Sequence, residues 1–455
     1  MQRQIHIQEQ RAQSERQGIE DFYALRIGPA WRYLRSQHFS FWMICGYLIT
    51  EYVRPQSIIP ALDILPWAQV FLLLALIGRL LDKQAKWVSD PANVWISLFL
   101  ATIIVSCFLA VFPDTAWSYF MYFFSWYVIY FLIINIVTSE KRLLIFLALF
   151  LLASFKLSLS SAKTWALRGF AFTNWGLMGP EGFFQNSGEL SIQMLMFSPI
   201  AYELAMHMRP HVSKVKFYVL LAMPLTAAMT VIGASSRGAQ IALVYQAYRS
   251  MLKGRFSLKK VLLVVLVALT AYHLLPEEQK ERFSSAGSDN TSEQRLLYWQ
   301  HGIEIIKERP ILGIGYFNFP PYYEQNYPQD MLFAHAELPH NIFIQIGTDA
   351  GLVGLFIFAM LIYRTIASAR RIRELAALAD DKQTPFACLA RGMLIAMWGF
   401  IIAGQFVTVT YYPFFWVNLA MIVALRNIAE QHYASLGIIE KKARPAVRRQ
   451  RAVAG

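Results

Sequence analysis

The sequence predicts an all-α polytopic membrane protein with about 12 transmembrane helices and one large loop outside the membrane. Two features of its composition predict this class. Charged residues make up 16% of the chain, whereas a soluble globular protein carries about 25%. Apolar residues make up 56%, and they are gathered in blocks of about 17–25 residues, the length of a helix that crosses a hydrocarbon core. This composition excludes a soluble enzyme, a disordered chain and a disulfide scaffold.

The apolar blocks define the predicted spans in chain order. They lie at 39–54, 64–82, 93–112, 116–137, 143–161, 187–206, 217–233, 238–252, 261–276, 341–363, 390–410 and 413–426. The first, eighth and last blocks are short for a crossing. The first could also be re-entrant, but the distribution of positive charge favours a crossing.

The positive charges give the orientation. If the N-terminus is cytoplasmic, 32 of the 42 lysines and arginines fall in cytoplasmic segments, as expected for a membrane protein. Both termini are therefore predicted in the cytoplasm, and the large loop on the outer side. Because orientation accounts for most of the net charge of +13, no nucleic-acid partner is expected.

The predicted chain has five parts. They are a cytoplasmic N-terminal arm with an interfacial helix (1–38), transmembrane helices 1–9 (39–276), a large outside loop with short helices (277–340), transmembrane helices 10–12 (341–426) and a basic cytoplasmic tail (427–455). The interfacial helix is predicted at Phe22–Leu34. The polar first 38 residues indicate no cleavable signal peptide. The basic cluster from Lys441 to Arg451 suits either anionic lipid or a solvated, disordered tail.

No metal or cofactor is predicted. The three cysteines, Cys45, Cys107 and Cys388, lie in or beside predicted spans and outside the large loop, so neither a disulfide framework nor a cysteine metal site is expected. The chain also lacks C-x-x-C, H-E-x-x-H and P-loop motifs, and a G-x-G-x-x-G motif after a strand.

Arg237 lies in a very short outside turn, Ala234-Ser235-Ser236-Arg237-Gly238, between two predicted spans. An arginine held at this depth is costly unless it is paired or faces a polar cavity. Its planar guanidinium suits a phosphate group, which it can bind through two hydrogen bonds. A structural ion pair or a lipid headgroup is the alternative partner.

Arg295 lies in the large loop, in the first turn of a helix predicted to begin at Thr291-Ser292-Glu293-Gln294 and to end at Pro310. An apolar stripe at helical spacing supports the helix. Its members are Leu296, Trp299, Ile303 and Ile306. The helix dipole does not favour a cation in the first turn, so Arg295 indicates an anionic partner or pairs with a nearby acid such as Glu293.

His340 follows Pro339 where the large loop ends and the tenth span begins. A helix N-terminus and removal from water both lower the pKa of a histidine, so His340 is expected to stay neutral. A neutral imidazole can take a proton from a sugar hydroxyl, or can simply bond a loop carbonyl. His335 and Glu337 lie within one turn and could orient His340 or compete for its role.

A second outside segment, 161–186, surrounds Arg168 with aromatic residues. These are Trp165, Phe170, Phe172, Trp175, Phe183 and Phe184. Aromatic faces suit sugar rings and polyprenyl chains, and they equally suit the belt at a membrane interface.

Three motifs together resemble the bacterial O-antigen ligase and Wzy-type O-antigen polymerase superfamily. His340-Asn341, nine residues and Gly351-Leu352-Val353-Gly354 fit the pattern His-(Asn/Ser/Gln)-x9-Gly-x-x-Gly. The turn Ser236-Arg237-Gly238 is similar to the family's serine–arginine turn, and the segment from Arg295 to Phe319 is similar to its loop. The resemblance covers roughly residues 180–360. The N-terminal segment Glu51–Ser57 resembles a subgroup found with exosortase-type exopolysaccharide systems.

The resemblance implies a metal-independent glycosyltransferase of the GT-C type in the bacterial inner membrane. Such enzymes take a glycan from undecaprenyl pyrophosphate on the periplasmic face. Ligases pass it to lipid A–core, polymerases pass it to another lipid-linked repeat, and some relatives glycosylate proteins.

The resemblance also implies roles for single residues. Arg237 and Arg295 would bind the donor's pyrophosphate, and His340 would act as base on the acceptor hydroxyl or position it. Asn341 would be a supporting polar contact. Gly351 and Gly354 would allow close helix packing, and Arg168 and Asn186 are further substrate-binding candidates without a motif match.

Two alternatives come from other classes. A transporter would use polar residues in or near the spans as an ion path. These are Lys156, Glu189, Glu203, His273, Gln345 and Asp349. The sequence shows no inverted repeat and no matched pair of broken helices, which argues against transport. A scaffolding role in polysaccharide export is the second alternative, and it predicts that Arg237 and Arg295 can be replaced without loss of function.

Overall fold

The computed structural model describes residues 18–82, 87–173, 176–251, 290–380 and 384–439, with four single positions between 252 and 289. We number its bounded helices α1 to α15. They are α1 (Ile27–Arg35), α2 (Phe39–Tyr52), α3 (Pro55–Ile58), α4 (Trp67–Leu81), α5 (Pro91–Phe108), α6 (Pro113–Ile136), α7 (Glu140–Leu167), α8 (Ser187–Met208), α9 (Lys214–Gly233), α10 (Arg237–Met251), α11 (Asn290–Glu308), α12 (Phe319–Asn326), α13 (Ile342–Leu378), α14 (Pro385–Ala403) and α15 (Pro413–Ser435). Two 3₁₀ turns, Pro60–Leu62 and Pro328–Asp330, complete these elements.

Six helices of the described residues are long and apolar enough to cross a membrane. They are α5, α6, α7, α9, α13 and α14. The regular elements in the described part of the chain are helices, with no strand among them, and this is consistent with a polytopic membrane protein. The predicted spans 39–54, 64–82, 187–206, 238–252 and 413–426 coincide with α2, α4, α8, α10 and α15. The ninth predicted span, 261–276, lies outside the described residues apart from single positions, so the count of twelve stays a prediction.

Local sequence signals start most of these helices. Asn186 caps α8 in a capping box with Glu189, and Ser139 caps α7 through the amide of Arg142. Proline stands in the first turn of α5, α6, α14 and α15, where its missing N–H is not needed. These caps satisfy amides that the helix itself leaves unpaired.

Two predicted boundaries differ from the structure. The segment 22–34 is divided at Leu25, which has a φ of +51°, and α1 begins only at Ile27. Lys216 Nζ fixes the divided segment by donating to the carbonyls of Ala24 (2.9 Å) and Leu25 (3.3 Å). At the other end, α15 continues to Ser435, so the predicted tail from 427 begins with two further turns of helix.

The large loop has a small core of its own. Its buried members are Tyr298, Ile305, Ile314, Phe319 and Tyr323. They bring α11, α12 and the connection between these helices together. The predicted loop segment therefore contains helices, one of them 19 residues long, and this core gives α11 a fixed position.

A break in α13 joins the loop to the helical bundle. Gly351 has φ +64° and ψ −161°, which interrupts the helix. The freed amides of Leu352 and Val353 donate to the loop carbonyls of Pro310 (2.7 Å) and Ile311 (3.4 Å). A Cβ at Gly351 would overlap the carbonyl of Ile311. The sequence predicts that Gly351 lets helices pack closely; in the structure it admits loop backbone into a broken helix instead.

Further hydrogen bonds complete this attachment, which we call the Gly351 junction (residues 309–319 with 347–353). The amide of Ile314 donates to Thr348 O at 2.8 Å, and the amide of Val111, between α5 and α6, donates to Ile314 O at 2.9 Å. The fully buried Asp349 accepts from the amide of Phe317 (3.1 Å) and the hydroxyl of Tyr411 (3.0 Å). The loop is thus bonded to α13 and to the connection between α5 and α6, and Tyr411 bonds the same Asp349 from the connection between α14 and α15.

Replacement of Gly351 tests the junction. Gly351→Ala should lower the free energy of unfolding by about 1–3 kcal/mol from the strained φ alone, and further because the methyl group displaces Ile311. Gly169→Ala is the matched control, since Gly169 has the same φ of +64° with nothing within 4 Å of its Cβ. The measurement is the unfolding transition of the purified protein in detergent, followed by tryptophan fluorescence. Equal losses in the two variants would contradict the close approach at Gly351.

Candidate active site

Two helix ends meet at the candidate site. Arg237 is the first residue of α10, and its Nη2 donates to Ser292 Oγ at 3.1 Å, in the first turn of α11. Ser235 in the preceding turn has φ +58°, which folds the chain back tightly enough to start α10 at Arg237. Gly238 lies directly against the ring of Phe406, where a Cβ would not fit. The short turn therefore aims Arg237 toward the helix that carries Arg295.

The helix α11 in turn holds the end of the large loop. Trp299 Nε1 donates to Pro339 O at 2.9 Å, and the hydroxyl of Tyr298 accepts from the amide of Glu337 at 2.9 Å. One turn further along the same face, Gly302 packs against Ile344 of α13, so closely that a Cβ would overlap it. Arg295 thus belongs to the same rigid element that positions the residues before His340.

His340 has an unusual backbone held by a distant residue. Its φ is +51°, and its amide donates to Thr408 Oγ1 at 2.9 Å. Thr408 lies between α14 and α15. This conformation turns the imidazole out of the line of α13, and the side chain remains only 18% exposed.

The hydrogen bond between His340 and Glu337 assigns the protons of the imidazole. His340 Nε2 lies 2.7 Å from Glu337 Oε2. Because an ionised carboxylate only accepts hydrogen bonds, Nε2 must carry the proton, and the lone pair of the neutral ring is then on Nδ1. Nδ1 is therefore the atom of His340 that can accept a proton.

The charges around this pair keep it in that state. Burial lowers the pKa of His340 below its ordinary 6.5; the hydrogen bond to Glu337 opposes this, and the charge of Arg295 adds to it. The hydrogen bond from His340 also lowers the pKa of Glu337, and Arg295 lowers it further. At neutral pH the imidazole is uncharged, Glu337 is ionised and Arg295 acts electrostatically on both. Arg295 therefore lies near the Glu337–His340 pair, and Arg237 contacts the helix that carries Arg295.

Asn341 serves the helix that follows it. Its Oδ1 accepts from the amides of Phe343 (2.9 Å) and Ile344 (3.3 Å), and its Nδ2 donates to Gln405 Oε1 at 3.3 Å. It is the N-cap of α13 and is buried. The predicted contact of Asn341 with a substrate stays a prediction beside this structural role.

In the described part of the chain, the contacts of three further candidates are with residues other than Arg237, Arg295 and His340. The His335 side chain is 90% exposed and lies 3.8 Å from Glu324 Oε1. Arg168 is exposed at the C-terminal end of α7. Asn186 caps α8, with its Oδ1 accepting from the amide of Gly188 at 2.7 Å. Their roles in binding stay predictions.

Sequence reasoning missed two residues that build the site. Ser292 was recognised as part of a helix start, but its contact with Arg237 crosses 55 positions of the chain. Thr408 lies 68 positions after His340, in a segment that reads only as the end of an apolar span. No local pattern marks either contact, because both depend on how the helices pack.

Comparison with known families finds a match in the segment that carries Arg237, Arg295 and His340. Residues 222–359 match the model of the O-antigen ligase family, Wzy_C. The match confirms the resemblance to the O-antigen ligase and Wzy superfamily, and it includes Arg237, Arg295 and His340 while leaving out Arg168 and Asn186. No curated protein shows significant similarity to the chain.

The bond between Thr408 and His340 can be tested by substitution. Thr408→Val keeps the size of the side chain but leaves the amide of His340 without its acceptor, so the free energy of unfolding should fall by about 1 kcal/mol. Thr408→Ser keeps a hydroxyl and should retain most of the stability. Unfolding in detergent measures both. A Thr408→Val variant as stable as the Ser variant would show that this bond does not hold His340.

Proposed function

We propose that the protein is a membrane glycosyltransferase of the O-antigen ligase type. It would transfer a glycan from undecaprenyl pyrophosphate to an acceptor hydroxyl on the periplasmic face of the bacterial inner membrane. The observation that carries the proposal is the linkage of two arginines, Arg237 and Arg295, with a neutral, carboxylate-bound histidine, His340, within the segment that matches the family.

The two arginines supply the electrostatic part of the reaction. A guanidinium can bind two phosphate oxygens at once. Arg237 is the first residue of α10, Arg295 lies in the second turn of α11 rather than the predicted first turn, and the two helices contact each other through Arg237 and Ser292. As the bond between the anomeric carbon and the pyrophosphate oxygen breaks, negative charge grows on the leaving group. Fixed positive charges stabilise that charge without rearrangement, so the arginines favour departure of the pyrophosphate.

His340 supplies the base. Nδ1 takes the proton of the acceptor hydroxyl while the acceptor oxygen bonds to the anomeric carbon and the pyrophosphate leaves with its electron pair. Glu337 holds the proton on Nε2 and would stabilise the imidazolium that forms. His340 returns this proton to solvent after transfer.

Reconstitution tests the proposal directly. Protein in lipid vesicles is given undecaprenyl-pyrophosphate glycan and candidate acceptors, and glycan transfer is measured. His340→Ala, Arg237→Ala and Arg295→Ala should each lower kcat about 100-fold or more, and Arg237→Lys should remain impaired because lysine cannot bind two oxygens in a plane. Lys307→Ala is the matched control, since Lys307 is an exposed cation on the same helix as Arg295.

Different outcomes separate the alternatives. Full transfer by His340→Ala and Arg237→Ala would overturn the site, and loss of activity with EDTA would overturn metal independence. A single transfer onto lipid or protein identifies a ligase, whereas a ladder of growing length on the lipid carrier identifies a polymerase. Substrate flux without transfer would identify a transporter.

The pH dependence gives an independent test of the site. The His340 pKa lies below 6.5, so the neutral, active form should be lost only as the pH falls below that value. Arg295→Ala removes an effect that lowers the pKa of His340, so the loss of activity at low pH should begin at a higher pH. Glu337→Ala removes an effect that raises the pKa, so the loss of activity should begin at a lower pH.

The reaction of His340 with diethyl pyrocarbonate measures these shifts in the pKa of His340 without any glycan transfer, because only the neutral imidazole reacts. Modification of His340 is quantified by mass spectrometry across the pH range. Shifts in the same direction in both variants would contradict the electrostatic arrangement of the site.

A further inference from the structure

A cavity of about 730 Å³ lies at the end of the bundle opposite the candidate active site. It is formed where α8 and α13 end and α14 begins. At their other ends, α8 begins beside Val407 and α14 ends at Ala403, and the carbonyl of the following Gly404 accepts from the amide of Ile342. Since α8 has 22 residues, about 33 Å of helix separates the cavity from the candidate site.

The lining of this cavity is strongly basic. Its charged and titratable members are Arg209, Arg373, Arg391, His207, His211 and Glu203. The Glu203 side chain is only 1% exposed and lies 3.3 Å from Arg391 Nε. The single lining carboxylate is therefore already neutralised by one of the three arginines.

Arg391 is fixed in place, and two arginines remain for a ligand. Arg391 Nη2 donates to the carbonyls of Arg249 (3.0 Å) and Ser250 (2.9 Å), at the end of α10. Within the described residues, neither Arg209 nor Arg373 takes part in an ion pair. The nearest acid to Arg373 along α13, Glu374, lies 3.8 Å from Arg371 instead.

Aromatic packing holds one wall of the cavity. The ring of Tyr23 packs edge-on against His207 at 5.3 Å and lies 6.0 Å from His211. The guanidinium of Arg209 lies over the ring of Phe217 at 5.6 Å. These contacts limit the rotamers of the lining side chains before any ligand arrives, which lowers the entropic cost of binding.

We propose that this cavity binds a phosphate-bearing anion. Its volume lies within the range of about 300–1,000 Å³ that small-molecule sites occupy. Arg209 and Arg373 provide two planar guanidinium groups, the side chains best suited to phosphate, and His211 adds an imidazole to the lining. The same chemistry fits the headgroup of an anionic lipid at the membrane surface or a free phosphate compound. The site does not depend on the proposed transferase reaction.

Inorganic pyrophosphate is the soluble probe. Because the candidate active site is also expected to bind it, the titration uses the Arg237→Ala/Arg295→Ala variant in detergent, and isothermal titration calorimetry measures the remaining binding. Adding Arg373→Ala or Arg209→Ala should weaken this binding about tenfold. Arg370→Ala is the matched control, since Arg370 is exposed on α13 but does not line the cavity.

Lipid nanodiscs distinguish the two sources of phosphate. Native mass spectrometry compares retained phosphatidylglycerol with retained phosphatidylcholine in the wild type, Arg373→Ala and Arg370→Ala. Phosphatidylglycerol that is retained by the wild type and Arg370→Ala but lost in Arg373→Ala identifies a lipid headgroup site; pyrophosphate binding without lipid retention identifies a soluble ligand. Binding of neither probe, or equal binding by the Arg373→Ala and Arg370→Ala variants, would overturn the proposal. Melting temperatures of all variants show that each is folded.

Discussion

The Gly351 junction is the constraint on which the candidate site depends. A helix inside a membrane cannot leave its backbone groups without partners, because lipid offers none. Where α13 breaks, loop carbonyls at Pro310 and Ile311 replace the lost helical bonds, and Asp349 gains its own partners from Phe317 and Tyr411. The loop is therefore part of the bundle's hydrogen bonding. This fixes α11, and with it Arg295, relative to the start of α13.

The site draws its chemistry from three separate elements. Arg237 comes from the start of α10, Arg295 from α11, and His340 from the residue before the cap of α13. None of these positions would act alone. Arg295 alters the pKa of both members of the Glu337–His340 pair, so a group expected to bind an anion also sets the protonation of the base. In the proposed reaction, donor binding and proton transfer would therefore be coupled through the guanidinium of Arg295.

Local structure was predictable from the sequence, and contacts between distant segments were not. The start of α11 near Thr291 and its end before Pro310 follow from capping and proline rules, and the helix runs from Asn290 to Glu308. The same rules account for Asn186 and Asn341 in the structure: asparagine before an apolar run is a preferred N-cap, and both residues cap helices. By contrast, the basic cavity combines residues 207–211 with 373–391. From the sequence alone, these charges predict only the orientation of the chain in the membrane.

The fold explains why the histidine–glycine motif contains an interval of nine residues. The helix from Ile342 to Ala350 makes about two and a half turns between the base at one end and the loop attachment at the other. Inserting or deleting one residue there would rotate the ends by about 100°, so His340 could not face Glu337 while Leu352 still met Pro310. The number of residues in this interval sets the rotation of one end relative to the other, and this number is more important than the identity of the apolar residues within it.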